Sequence, residues 1–154
     1  MNTQISIRKA NLKDLDRISE LGLEHDKYEH SLNNSVKVSS FKKYEEITKR
    51  AMHNPAFVFF LAEENKNIVG WINCSIDVRG NQKLGVFHDI IITKSERGKG
   101  IGTKLMKAMF NYFKTKNCSS VKSFVHTKNK NALKFYENLG FQAEEGYHIR
   151  KELK

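Results

Sequence analysis

At 154 residues, 39% hydrophobic and 10% aromatic, the chain is long enough to bury one real core and too apolar for disorder. Its longest unbroken apolar run, Ala56 to Ala62, falls far short of a membrane span, its N-terminus carries no apolar signal region, and Cys74 and Cys118 alone make neither a disulfide framework nor a metal cluster. The expectation is therefore one domain over residues 1–154, cytoplasmic and reduced, with no membrane and no metal, whose net charge of +10 points to a polyanionic or acidic partner.

Alternation at Ile5 and Ile7 predicts a first strand over about residues 4–9. Asn11 stands where a helix N-cap is needed, with Asp14 at the third helical position, and Leu12, Leu15, Ile18, Leu21 and Leu23 give that helix an apolar face. The pattern decays over His25–His30, and residues 31–37 read as loop. Ser39 or Ser40 caps a second helix, with Phe41, Tyr44, Ile47 and Ala51 at helical spacing and Asn54-Pro55 as its stop. Phe57–Ala62 and Ile68–Asp77 read as a hairpin around Asn65-Lys66-Asn67, and a second turn at Arg79–Gln82 leads into a long strand, Leu84–Ile92. A glycine-rich stretch and a helix from about Gly100 to Lys116 follow, then a strand at Val121–His126. The helix over Asn129–Leu139 is stopped by Gly140, and two short strands, Phe141–Ala143 and Tyr147–Lys151, close the chain.

The glycine-rich stretch carries the first functional signal. Gly98, Gly100 and Gly102 leave backbone N–H groups uncovered between a strand and a helix start, where the partial positive charge of the helix favours phosphate. Arg97, Lys99 and Lys104 add formal charge. The excess charge also lies from here onward: residues 1–96 hold 14 Lys/Arg against 13 Asp/Glu, residues 97–154 hold 13 against 4. No P-loop string occurs, and Gly-x-Gly-x-Gly is not the dinucleotide fingerprint. Arg97-x-x-Gly100-x-Gly102 instead resembles the acetyl-CoA pyrophosphate loop of the GCN5-related N-acetyltransferase (GNAT) family. Asn129-x-x-Ala132-x-x-Phe135-Tyr136-x-x-x-Gly140-Phe141 is similar to the second signature of the same family, and the order of elements matches along essentially the whole chain.

The resemblance implies an α+β fold in α/β/α layers: a central mixed, mostly antiparallel sheet of six to seven strands flanked by about four helices, with a splayed strand pair that holds CoA. It implies an acetyl-CoA-dependent N-acetyltransferase (EC 2.3.1.-) that moves an acetyl group to a primary amine by direct attack in a ternary complex, as a monomer or homodimer. The pantetheine arm would pair with main-chain groups of Ile90, Ile91 and Ile92. The pyrophosphate would sit over Arg97, Gly98, Lys99, Gly100, Ile101, Gly102 and Thr103, with Asn129 and Ala132 also at the coenzyme. Asn129 is equally an N-cap for the last helix. Tyr136 falls at the position of the family's general acid, where a phenol can protonate the departing thiolate.

The base is less determined. Many relatives carry a glutamate just before an aspartate in the long strand, whereas this chain has His88-Asp89. Strict alternation puts His88 with Val86, Ile90 and Ile92, and Asp89 with Phe87 and Ile91. An imidazole is a residue type that can take up a proton near neutral pH, which makes His88 a candidate base, although a lone histidine on an apolar face also serves as a structural residue. Asp89 orients the amine or holds the strand end; His126, the His25–His30 segment and a relayed water are further candidates. Neither cysteine sits among groups that activate a thiol. For the acceptor, the resemblance points to the first two helices and their loop, with His25, Tyr28, Glu29, Phe41 and Tyr44 as candidates. Acids among aromatics suit a small cationic amine, an aminoglycoside or a protein amine. The competing expectation is a basic, non-enzymatic module for RNA or an acidic protein, and the absence of any aromatic RNP signature argues against nucleic acid.

Overall fold

The computed structural model describes residues 4–34, 37–145 and 151. It divides into two compact units, residues 1–124 and 125–154, each described in turn.

The first unit is built on one five-stranded sheet in the order β1-β2-β3-β4-β5. Strands β1 (Ile5–Lys9), β2 (Phe57–Glu64), β3 (Asn67–Arg79) and β4 (Gln82–Ile92) pair antiparallel, and β5 (Ser120–Lys122) joins β4 in parallel. The α+β class and the mixed sheet agree with the expectation, but the strand count is lower. Phe141–Ala143 forms no strand, Ser123–His126 does not extend β5, and Tyr147–Arg150 lies outside the described residues.

One sheet face packs on α1 (Leu15–Leu32) and α2 (Phe41–His53). Ile18, Leu21, Phe59, Leu61, Trp71 and Ile91 form that core, with Trp71 only 1% exposed and its indole Nε1–H donating to the Ile18 carbonyl at 3.1 Å. Burying an aromatic of this size supplies much of the local stability, and the hydrogen bond removes the cost of burying its polar edge. The opposite face packs on α3 (Ile101–Thr115), whose Ile101, Leu105, Met106, Met109 and Phe113 are buried. Gly85 lets Phe113 approach: a Cβ there would stand 2.5 Å from its ring.

Two helices differ from the periodicity reading. Asn11 and Asp14 do form a reciprocal cap, but on a 3-10 turn, Leu12–Asp14, that precedes α1 and leaves Leu12 49% exposed. α1 then continues through His25–His30 to Leu32, where decay of the apolar pattern had suggested an end. In α2, capped by Ser40, Phe41 and Ile47 are 40% and 52% exposed while Thr48 is buried. The inward face runs through Tyr44, Thr48 and Ala51 and leaves out Phe41 and Ile47, with the Tyr44 ring against Gly22 of α1.

In the second unit, α4 (Lys130–Asn138) is capped by the Asn129 side chain, whose Oδ1 accepts from the Ala132 N–H at 3.2 Å. Gly140, at φ +87°, ends it. The Phe141 N–H returns to the Tyr136 carbonyl at 3.1 Å and the Gly140 N–H to Glu137 at 2.9 Å, the paired bonds of a left-handed helix stop.

Candidate functional site

The glycine turn is shaped by backbone conformation. Gly98 and Gly100 lie at φ +79° and +77°, where a side chain is strained, and nothing stands within 4 Å of where their Cβ atoms would be. The surface above them is thus open. Gly100 is the N-cap of α3 and offers no side chain to its first amides, so those donors remain available to an anion. Gly102 and Ile101 are buried in the first turn and Thr103 is half-buried. Next to the turn, Thr93 Oγ1 is buried with no hydrogen-bond partner among the described residues. An uncapped helix start, bare glycines and an orphaned hydroxyl fit a phosphate-bearing ligand.

The two cations of the turn are already engaged. Lys99 Nζ lies 2.6 Å from Glu96, which draws that carboxyl below the usual range and raises the lysine. Arg97 Nε donates to the Ile92 carbonyl at 3.0 Å, and its guanidinium stands 5.6 Å from the centre of the Tyr28 ring. The turn, the end of β4 and the second half of α1 therefore meet at one side chain.

β4 supplies the second part. Its pairing with β5 covers only Leu84–Val86, and one further bond ties the Ser123 hydroxyl to the Phe87 carbonyl at 2.8 Å. From Asp89 to Ile92 the strand is paired on the β3 side alone among the described residues. Ile90, Ile91 and Ile92 thus combine packed side chains with a backbone edge that no described strand pairs, although the Ile92 carbonyl already accepts from Arg97.

The same strand carries a bulge that the sequence does not announce. Asn73 pairs with Asp89 but Cys74 pairs with Phe87, leaving His88 without a partner on β3. Alternation resets there. Phe87, like Gly85, faces α3, while Ile91 joins the α1 core. This corrects the expected faces: Asp89 shares one with Ile91 but not with Phe87, and His88 parts from Ile90 and Ile92. His88 and Asp89 now lie on the same side, toward α1. His88 Nε2 is 2.8 Å from Ser75 Oγ and its ring 5.2 Å from Phe57. Asn73 Oδ1 accepts from the Asp89 N–H at 2.8 Å and its side chain also bonds the Asp89 carboxylate.

The face of α1 bearing Gly22, His25, Asp26 and Glu29 completes the cluster. These positions lie at i, i+3, i+4 and i+7. Burial pushes the Asp89 carboxyl above the usual range, opposed by the charges of His25 and His88 and by Asn73, while Glu29 adds to the rise. Asp26 is likewise raised, by burial and then by Asp89, against His25 and a backbone bond from Ser39. Burial raises the Tyr44 phenol, and Asp89 and Asp26 push the same way. His25 Nε2 and Glu29 Oε1 are 4.0 Å apart. Asp26 and Asp89 are thus two half-buried carboxyls whose surroundings favour the protonated form or a nearby cation. Of the acceptor candidates, His25, Tyr28, Glu29 and Tyr44 belong to this region, whereas Phe41 is 40% exposed at the start of α2. Asp26 lies in the His25–His30 segment whose acids and aromatics the sequence already placed near the acceptor, whereas nothing in the sequence singled out Asn73.

In the second unit, Asn129 is 9% exposed and serves as the cap. Ala132 and Tyr136 are half-buried on α4. The Tyr136 ring packs against Phe135 and Phe141 at 5.5 and 5.8 Å, which fixes its direction from the helix. The His126 ring Nδ1 accepts from the Lys128 N–H at 3.2 Å, a local turn contact. Cys74 is buried and its thiol is pushed up to about 12, the reverse of an activated nucleophile.

The acetyltransferase (GNAT) family model matches residues 23–141. An uncharacterized N-acetyltransferase of Methanocaldococcus jannaschii is 31% identical over 137 residues, which cover 88% of this chain and 77% of that protein. N-alpha-acetyltransferase 30 of Schizosaccharomyces pombe is 35% identical over 83 residues, 53% of this chain and 55% of the yeast protein. The chain spans about half the length of the first curated relatives it matches. The aminoglycoside N-acetyltransferase AAC(6')-Iy, solved in complex with CoA, superposes with a TM-score of 0.79 over 99% of this chain and 97% of its own, at 17% identity. At that identity the likeness establishes the fold.

Proposed function

This chain belongs to the acetyltransferase (GNAT) family, and on that premise we propose that it transfers the acetyl group of acetyl-CoA to a primary amine within a ternary complex. Acetyl-CoA is the coenzyme of the family, and it supplies the activated thioester. The observation that carries the proposal is the juxtaposition of the open β4 edge, the uncapped start of α3 and the raised carboxylate of Asp89.

The main chain of Ile90, Ile91 and Ile92 would hold the pantetheine arm, and the amides from Gly98 to Thr103 its diphosphate. Asp89 takes a proton from the acceptor ammonium, leaving a neutral amine that can attack. A carboxyl raised above its ordinary range accepts that proton more readily than a solvated aspartate. This assigns the base to Asp89 over His88, whose Nε2 is engaged by Ser75. As the C–S bond breaks, the family resemblance implies that Tyr136 would give its phenolic proton to the departing sulfur and recover one from the acylated nitrogen, which becomes the neutral amide; a main-chain N–H at the end of β4 would stabilise the carbonyl oxygen. The buried, raised thiol of Cys74 supports direct attack over an acyl-cysteine route. Acceptor classes carried by the relatives' names, a protein N-terminus and an aminoglycoside, are both cationic amines suited to Asp26, Glu29 and Asp89. The family match supports an acetyltransferase over the basic RNA- or partner-binding module.

The test is thiol release from acetyl-CoA in the presence of spermidine, kanamycin or an alanine tripeptide, beside calorimetric titration with CoA. The proposal expects saturable CoA binding and amine-dependent thiol release. A protein that does not bind CoA would end it.

A further inference from the structure

Arg97 is the charged residue of the glycine motif, yet its side chain is directed away from the role its charge suggests. Its Nε is spent on the carbonyl of Ile92 at 3.0 Å, and the guanidinium carbon lies over the Tyr28 ring, 5.6 Å from its centre. Tyr28 is a half-buried residue of α1, three positions after His25 and one before Glu29. Its ring is therefore one turn from the acid-and-histidine face that reaches Asp89. An arginine that bonds the end of β4 and makes a cation–π contact with Tyr28 of α1 ties together the two elements between which an acceptor must lie.

We propose that Arg97 and Tyr28 form a positioning pair that sets the acceptor-binding face of α1 against the end of β4, so that the Arg97 side chain serves the acceptor more than the coenzyme diphosphate. This rests on the reading that the glycine turn takes CoA. The diphosphate is then left to backbone amides, as the uncapped start of α3 allows. The guanidinium combines an Nε–H donor with a cation–π charge, so neither a lysine nor a glutamine reproduces both contacts.

The pair predicts a split between the two substrates. In Tyr28→Leu, the Michaelis constant for the acceptor (the fastest of spermidine, kanamycin and an alanine tripeptide) should rise about 2–5-fold, the scale of an exposed cation–π contact. kcat and the dissociation constant for CoA should stay within about twofold. Tyr28→Phe keeps the ring and should restore the acceptor constant. Arg97→Gln should raise the acceptor constant at least as far, and the double variant should be no worse than Arg97→Gln alone, because one contact is being removed twice. Hydrogen exchange over residues 25–32 should quicken in both single variants, which reads the pair even where none of the three amines turns over. A tenfold loss of CoA affinity in Arg97→Gln with an unchanged acceptor constant, or additive effects in the double variant, would overturn the pair. Absence of CoA binding to the unmodified protein would instead remove the functional reading beneath it.

Discussion

Asp14, at the start of α1, and Asp89, facing the second half of the same helix, are both drawn out of water, yet their surroundings push them in opposite directions. Asp14 is 7% exposed and receives both terminal nitrogens of Arg8 at 2.8 Å and the Asn11 N–H at 2.8 Å. Arg8, Glu63 and the capping turn complete a local network. The hydrogen bonds from Arg8 hold the Asp14 carboxyl below its usual range despite burial. No arginine among the described residues is paired with Asp89; burial outweighs two histidines and an asparagine, and its carboxyl rises. The first arrangement satisfies its charge and fastens β1, α1 and β2 together. The second leaves a carboxylate short of compensation, which is costly for stability and useful for taking a proton.

Replacing each carboxyl should separate these roles. Asp89→Asn should lower kcat/KM by about 10²- to 10⁴-fold, the range for loss of a general base, and at the same time raise Tm at neutral pH. Thiol release and a thermal scan on the same sample read both; retained activity or a lowered Tm would erase the contrast. Tyr136→Phe should cost about 10²-fold in turnover at saturating coenzyme, through loss of the acid rather than the base. Asp14→Ala should do the reverse of Asp89→Asn, losing about 1–2 kcal/mol of stability from the cap and its ion pair, with kcat/KM at 25 °C little changed. Denaturant unfolding checks it.

The smallest effect is the pH dependence, and its sign differs between the two sites. Asp14 is lowered on folding, so its stabilisation is complete above the ordinary carboxylate range and is lost as pH falls through its folded value. Asp89 is raised, so its cost is complete above its folded value and disappears once pH falls below the unfolded one. The stability advantage of Asp89→Asn over the unmodified protein should therefore shrink on mild acidification, before the Asp14 network is lost. Chemical denaturation at stepped pH would show a constant advantage if Asp89 were an ordinary aspartate.

Local signals made much of this legible in the sequence. Left-handed glycines and a helical repeat placed the turn and α3, and Asn129 with Gly140 bracketed α4, because each depends on neighbours in the chain. The site resisted for a physical reason. Hydrophobic periodicity stops where a helix turns a polar face inward, and α1 does so from His25 to Glu29, so the pattern decayed there and its last two residues, Ser31 and Leu32, read as loop. The bulge at His88 depends on the register between β3 and β4, which no single strand encodes, so alternation assigned Phe87 and Ile90 to the wrong faces. In α2, exposed Phe41 and Ile47 show that the inward face keeps only part of the apolar stripe, with the Tyr44 ring against Gly22.

The most direct measurement is a titration of CoA into ¹⁵N-labelled protein, following amide shifts. Coenzyme seated on the glycine turn and the open strand edge predicts saturable shifts at Gly98, Gly100, Gly102 and Ile90–Ile92, with the amides around Arg8 and Asp14 unmoved. Unmoved glycine amides, or shifts centred on the Asp14 network, would contradict it.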